Sequence, residues 1–245
     1  MATRNMHKAV VYHTISAPDF PLPANIDISS ERFEEHLKWL AKRPERVVPL
    51  RNLLTVSPAE NLIAVTFDDG YKDNLTVALP LLEKYNLPAT IFVSAGFIGE
   101  EGYLTGEDLK ILAAHPLITI GSHALWHRHL TELPPSEARH ELIESKKILE
   151  EIINQTVDLL AYPYGDCNSE IERLSEDCGY LAAWSVWNGN NTPHSLWRVP
   201  LGRNDNLFRF MAKVSSAYFP LKRIIKPPVI EKKQITKNAE FLRRV

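Results

Sequence analysis

The feature that most constrains the fold of this chain is a regular alternation of short apolar runs with amphipathic segments of helical period. Such runs are typical of buried strands, and the segments between them are typical of surface helices. The strands are predicted over residues 9–12, 62–67, 89–93, 117–121, 159–162 and 181–184. The helices are predicted over residues 31–41, 74–85, 106–114, 137–154 and 169–178, with N-caps expected at Ser30, Thr105, Ser136 and Asn168. The alternation predicts a parallel α/β domain rather than a sandwich or a bundle.

Two adjacent carboxylates follow the second predicted strand, in the segment 64–70 of sequence Ala-Val-Thr-Phe-Asp-Asp-Gly. Side chains alternate along an extended segment, so Asp68 and Asp69 point in different directions and cannot do the same work. One of them can hold a cation while the other handles a proton. An Asp-Asp-Gly triplet is by itself more typical of a solvated turn.

Two histidines follow the fourth predicted strand, in the segment 121–127 of sequence Gly-Ser-His-Ala-Leu-Trp-His. His123 and His127 are four residues apart, which puts both imidazoles on one side of a helical or turn-like segment, within reach of one metal. The pair alone is more typical of surface or capping chemistry. Together with one Asp, the two histidines would leave coordination positions open for water and substrate.

The order of three motifs along the chain resembles that of the polysaccharide deacetylase family, whose shared region is the NodB homology domain of carbohydrate esterase family 4. The motifs are Thr-Phe-Asp-Asp-Gly, His-x-x-x-His and, at 160–165, Leu-Ala-Tyr-Pro-Tyr-Gly. The resemblance covers about residues 62–198, and the Tyr-His pair at 12–13 also looks like the opening of some members. It implies a distorted (β/α) barrel, and the placement of polar residues after strands agrees with a barrel active site. The six predicted strands do not by themselves exclude an open doubly wound sheet.

The resemblance also implies a role for each motif residue. Asp69, His123 and His127 would hold a divalent metal, most often Zn²⁺, and Asp68 would be the general base. The Tyr164 amide would stabilise the oxyanion, since Pro163 has no N–H to donate. The implied reaction is hydrolysis of the N-acetyl amide of an amino sugar, in a glycan or in a precursor that is soluble or lipid-linked. Residues expected on the substrate side are His13, Pro163, Tyr164 and Trp184.

The chain departs from the family pattern at three places. Many members carry an Arg that pairs with the catalytic Asp, where this chain has Ala161, and Arg198 is expected to orient Asp68 instead. A Ser or Thr that braces the loop after the first metal-binding His is replaced by Ala124, for which Ser122 is a candidate substitute. The late Leu-x-His motif of the general acid is absent, which leaves His194 as the candidate in that region, although an exposed loop residue is an equal interpretation.

Charge is distributed unevenly along the 245 residues, whose net charge is −2. Residues 220–245 contain eight Lys or Arg and two Glu, a balance of +6, which leaves −8 for residues 1–219. We therefore expect one deacetylase domain over 1–219 and a basic tail over 220–245. A solvated tail is the simplest interpretation; a peripheral contact with an anionic membrane is the functional alternative, favoured over nucleic acid because the rest of the chain is acidic.

The remaining expectations concern location and alternative functions. The apolar residues near the N-terminus are too few for a secretory signal or a membrane span, which predicts a cytoplasmic protein, with a peripheral position at the inner membrane face as the alternative. Cys167 and Cys178 are expected to be ordinary thiols. Two other functions stay open: hydrolysis of another C–N amide such as a formyl group or a ureide, and a catalytically silent sugar-binding relative. The intact Asp68 argues against the silent relative.

Overall fold

The computed structural model describes residues 8–15, 26–43, 46–55, 61–186 and 192–215. Seven parallel strands within this part of the chain close into a barrel, and a pair of two-residue strands lies apart from it. The strands are β1 Lys8–Tyr12, β2 Thr14–Ile15, β3 Asp27–Ile28, β4 Ile63–Phe67, β5 Ala89–Val93, β6 Ile118–Ser122, β7 Leu159–Ala161, β8 Ala182–Ser185 and β9 Leu196–Pro200. The predicted (β/α) barrel is confirmed, and the open sheet is excluded.

The barrel order is β1-β4-β5-β6-β7-β8-β9, and β9 returns to β1 through the pairing of Ala9 with Arg198. Six of these strands were predicted from the sequence. The seventh, β9, was not, because its sequence Leu-Trp-Arg-Val-Pro places a charged residue at its centre and ends on a residue that cannot donate to a sheet. Closure of the barrel therefore depends on the strand that carries Arg198.

Helices cover the outside of the barrel. They are α1 Ser30–Ala41, α2 Leu79–Tyr85, α3 Gly106–Ala114, α4 Pro135–Ile153, α5 Ser169–Asp177 and α6 Leu207–Val214. Thr105 and Asn168 cap α3 and α5 with their side chains, as predicted. Two predicted caps are wrong: Ser29 rather than Ser30 caps α1, and α4 begins at Pro135 without a side-chain cap, so that Ser136 lies inside it. Among the described residues, no helix has the length and apolar composition to cross a bilayer.

The barrel interior is filled by a few large side chains between many small ones. Residues with small interior side chains are Ala9, Ala64, Gly121, Ala161 and Ala182. The space that they leave is occupied by Phe92 and Trp184, whose ring centroids are 6.1 Å apart. Trp184 is only 1% exposed. Its expected contact with substrate stays a prediction that this burial does not support, because the alternation of β8 turns the indole into the barrel.

Candidate functional site

The polar cluster of the molecule lies at the carboxyl ends of the barrel strands. Asp68 and Asp69 follow β4 directly, and His123 follows β6. Parallel strands bring these ends together at one mouth of the barrel. Nε2 of His127 lies 3.2 Å from Oδ1 of Asp69, and Nε2 of His123 lies 3.4 Å from the same oxygen.

Asp69, His123 and His127 fit a divalent cation. Their ligand atoms all lie within 4.8 Å of one another. Oδ1 of Asp69 is buried and has no hydrogen-bond partner, which is expected of a ligand atom directed at a cation. Nδ1 of His123 lies 2.8 Å from the carbonyl oxygen of Ala161, an arrangement that leaves Nε2 available to a metal. Two imidazoles and one carboxylate suit zinc among other divalent metals.

Left-handed backbone conformations shape both ligand-bearing segments. Asp69 has φ 72° and the following Gly70 has φ 83°, so the chain turns sharply where β4 ends. Ala124 and His127 also have positive φ, at 61° and 49°. Non-glycine residues adopt this region at a cost and persist there when their surroundings determine it, often at functional sites.

Asp68 forms a buried bidentate pair with Arg198. Nη1 and Nη2 of the guanidinium lie 2.5 and 2.7 Å from the two carboxylate oxygens, and Nη1 also donates to Thr66 at 3.2 Å. Burial by itself raises the pKa of Asp68, but the positive charges of Arg198 and His123 outweigh it and hold this pKa below its usual value. Arg198 therefore reaches, from β9, the carboxylate that the family resemblance would pair with an Arg at position 161.

His13 faces the same cluster from the end of β1. Its Nδ1 is buried without a hydrogen-bond partner, while its carbonyl oxygen accepts from the Asn74 side chain at 3.1 Å. The charge of His13 acts to lower the pKa of Asp68 and of Asp69, after the larger effects of burial and of the nearer cationic groups. The pairing of Tyr12 with Phe67 places His13 and Asp68 at neighbouring strand ends on the same side of the barrel.

The segment after β7 places an aromatic ring beside the cluster. Tyr164 has φ 59° and is 46% exposed, and its ring centroid lies 4.5 Å from that of His127, whereas Pro163 is buried. The His129 ring stacks on Tyr164 at 3.6 Å and 9°. Gly165 also has positive φ, and a Cβ there would meet Val186 at 2.4 Å. The Pro-Tyr-Gly sequence therefore fits a turn that only glycine can complete.

The structure does not bring His194 to the cluster. Its Nδ1 lies 2.8 Å from the hydroxyl of Ser175 in α5, and its carbonyl oxygen accepts from the hydroxyl of Tyr162 at 2.8 Å. Tyr162 belongs to the core cluster between the barrel wall and α5. His194 precedes β9 on this outer side, so its place in the chain, close to Arg198, gave a misleading impression of closeness in space.

Sequence reasoning missed an aromatic row on one side of the cluster. The rings of Tyr71 and Tyr103 stack with centroids 5.0 Å apart, and Phe97 lies 5.1 Å from Tyr103. The row ends at Trp126, which is 47% exposed and packs against Gly96, where a Cβ would meet the indole at 2.4 Å. Trp126 lies within the segment 121–127, but the other three residues belong to no motif, so only their position after β4 and β5 could have drawn attention to them.

The fold and the site together define a (β/α)-barrel protein with an acid-and-histidine cluster suited to a divalent cation. The family model described as polysaccharide deacetylase matches residues 55–183. YxkH of Bacillus subtilis (strain 168) is 34% identical over 176 residues, which are 70% of this chain and 61% of YxkH. The poly-beta-1,6-N-acetyl-D-glucosamine N-deacetylase of Staphylococcus aureus (strain MSSA476) is 25% identical over 191 residues, 70% of this chain and 65% of that enzyme.

Solved structures are similar over more of the chain. The Streptococcus pyogenes deacetylase PplD in complex with acetate has a TM-score of 0.73 and 25% identity, over 85% of this chain and 98% of that one. The polysaccharide deacetylase BC0361 from Bacillus cereus has a TM-score of 0.76 and 22% identity, over 85% and 68%. The chain belongs to the polysaccharide deacetylase family. It spans less than two thirds of the length of the two curated relatives.

Proposed function

We propose that this protein hydrolyses the N-acetyl amide of an amino sugar within a glycan or glycan precursor, using a divalent cation, most simply Zn²⁺. The observation that carries the proposal is a three-residue ligand set beside a carboxylate that is buried, paired with Arg198 and held ionised. A pure sugar-binding domain has no need of such a carboxylate. The named activity of the staphylococcal relative supports the choice of an N-acetylated sugar.

Asp69, His123 and His127 would hold the cation, which polarises an amide carbonyl and acidifies water when bound. Asp68 is the proton acceptor for the attacking water. A general base must be ionised to work, and the Arg198 guanidinium maintains that state inside a site that would otherwise favour the neutral acid. The amide N–H of Tyr164 donates to the oxygen that gains negative charge, a role for which Pro163 lacks the hydrogen.

The leaving amine requires a proton, and His13 is the better candidate to supply it than His194. His13 faces the acidic pair with a buried ring nitrogen that has no other partner, whereas His194 is bonded to Ser175 on the outer side of the barrel. In this scheme Asp68 takes one proton from water and His13 gives one to nitrogen. The products are acetate and the free amine.

The test is release of acetate from N-acetylglucosamine oligomers, with N-formyl and ureide compounds as parallel substrates. Chelation should abolish release and Zn²⁺ should restore it. Asp69→Ala and His127→Ala should lose bound metal in elemental analysis. Asp68→Asn should keep its metal and lose turnover by a factor of about a hundred or more. Full turnover after chelation, or in Asp68→Asn, would contradict the proposal. Hydrolysis of the formyl compound alone would show that the acyl group removed is formyl rather than acetyl.

A further inference from the structure

Helix α4 approaches the segment between the two metal-binding histidines with a pair of buried polar side chains. Glu141 and Ser145 are both buried, although a glutamate is rarely buried without a reason. They are four residues apart and therefore lie on one face of the helix, one above the other. That face is directed at residues 122–126, which form the end of β6 and the start of the loop.

Glu141, and Ser122 with Ser145 behind it, account for three successive backbone N–H groups of the loop. Oε2 of Glu141 accepts from the amides of Leu125 and Trp126 at 3.0 and 2.8 Å. The hydroxyl of Ser145 bonds that of Ser122 at 2.8 Å, and the Ser122 oxygen accepts from the amide of Ala124 at 3.2 Å. Ser122 thus makes a hydrogen bond that braces the loop, the contact for which it was the candidate in place of residue 124.

The loop needs these acceptors because its own conformation offers none. It reverses direction with positive φ at Ala124 and at His127, so it forms neither a helix nor a ladder strand. Buried amides without partners are costly, and a carboxylate that accepts two of them makes charge-assisted bonds. Nη1 of Arg128 lies 4.0 Å from the other carboxylate oxygen.

The two metal-binding histidines differ in how they are anchored. His123 has the Ala161 carbonyl as a second contact for its ring. Among the described residues, the ring of His127 has no comparable hydrogen bond on the side away from Asp69, so its direction follows from the backbone of the loop. We propose that Glu141 is a positioning residue that holds the loop amides so that Nε2 of His127 meets Asp69. This inference rests on the proposed metal site.

Zinc affinity of the purified protein tests the inference without any substrate. Glu141→Leu removes the acceptor at similar size and should weaken Zn²⁺ binding by about 10- to 100-fold, the usual scale for residues that orient a ligand. Glu141→Gln is the matched control. Both loop amides end on one oxygen, and the amide side chain keeps one carbonyl oxygen, so affinity should stay within about threefold of the wild type.

A second background separates positioning from general damage. In His127→Ala, which loses metal on purification but whose residual Zn²⁺ affinity is measured by titration, the further change Glu141→Leu should weaken binding by less than about threefold, because the group that it positions is gone. Equal losses in the two backgrounds, or wild-type affinity in Glu141→Leu, would overturn the inference. If Glu141→Leu does not fold, Glu141→Asp draws the acceptor back by one methylene, and unchanged affinity in that variant would overturn the inference instead. A wild type that binds no divalent cation would overturn the proposed function as well, which distinguishes the two failures.

Discussion

The pair of Asp68 and Arg198 shows how a guanidinium can reach a motif carboxylate from another strand of a closed barrel. Position 161 and position 198 both point into the barrel interior, from β7 and β9. The small side chain of Ala161 leaves the interior open, and the guanidinium extends from β9 over the ring of Phe92, 5.2 Å from its centroid. A buried ion pair adds little net stability compared with apolar residues, so its value lies in the charge that it maintains on Asp68.

Replacement of Arg198 by Met should move the acidic limb of the pH–rate profile to higher pH. Arg198 lowers the pKa of Asp68, and burial raises it. Without the guanidinium the burial effect remains, so the carboxylate takes up its proton at a higher pH, by about one to three pH units on the usual scale for such pairs. The acid limb is measured with saturating Zn²⁺.

Arg198→Lys is the control for that experiment, since it keeps a positive charge but loses the two-pronged geometry. Its acid limb should lie between those of the wild type and Arg198→Met. Thermal unfolding should be measured for both variants, because a buried carboxylate left without its partner costs about 3–5 kcal/mol of stability. An acid limb that does not move in folded Arg198→Met, with full activity, would show that Asp68 is tuned by other groups.

His13→Gln should affect amides and activated esters differently. An amine leaving group needs a proton, whereas a nitrophenolate leaves without one. Turnover of an N-acetylglucosamine oligomer should therefore fall by about a hundredfold or more, the usual effect of losing a general acid. Hydrolysis of 4-nitrophenyl acetate should stay within about tenfold of the wild type. Equal losses on both substrates would mean that His13 serves the site in another way.

At the scale of elements, the sequence predicted what depends on local pattern and missed what depends on closure. Apolar periodicity was sufficient for six barrel strands, and the N-cap residues Thr105 and Asn168 were identified correctly. The strand β9 was missed because its central Arg198 is buried only after the barrel has closed and Asp68 has become its partner. No local pattern carries that information.

The same limit explains which site residues could be predicted. The motif residues Asp69, His123 and His127 converge because parallel strands align their carboxyl ends, a consequence of fold class alone. The direction of Trp184 could not be predicted because it depends on strand register, and His194 was misplaced because closeness to Arg198 in the chain does not determine closeness in space. Glu141 acts from a helix outside the barrel, and nothing in its sequence neighbourhood distinguishes it from the exposed glutamates of α4.

Packing between neighbouring strands predicts that Gly121→Ala destabilises the barrel. A Cβ at Gly121 would lie 2.5 Å from Cδ1 of Phe92 and 3.1 Å from the Leu159 carbonyl oxygen. Overpacking of this kind costs about 1–3 kcal/mol, to be measured as a shift in the urea midpoint. Gly106→Ala is the matched control at the start of α3, where the nearest side-chain atom is 3.8 Å away. Equal midpoints for the two variants would show that Phe92 moves aside freely.

Charge is divided unevenly between residues 1–219 and residues 220–245 of the sequence. The 26 residues from 220 to 245 carry +6 and the preceding 219 carry −8. The predicted tail and its predicted start at residue 220 both lie outside the described residues. The last described helix, α6, displays two apolar side chains three residues apart, Phe208 at 79% and Met211 at 40% exposure. Arg209 lies between them in sequence, so apolar and basic groups occur together next to the tail.

This arrangement extends the membrane hypothesis from charge alone to charge plus an apolar contact. Each basic residue near an anionic surface is worth about 1 kcal/mol, and salt shortens the reach of each charge to about 8 Å at physiological ionic strength. The intact chain should therefore co-sediment with vesicles containing anionic lipid at low salt and be released as salt is added. Truncation after Phe219 should remove most of this binding while turnover of a small soluble substrate continues, and Phe208→Ser should weaken what remains.

If both forms sediment equally, or neither does, the tail does not direct the enzyme to a bilayer, and a soluble glycan becomes the better substrate to test. If truncation unfolds the domain, the tail packs against it and its charges belong to the folded surface.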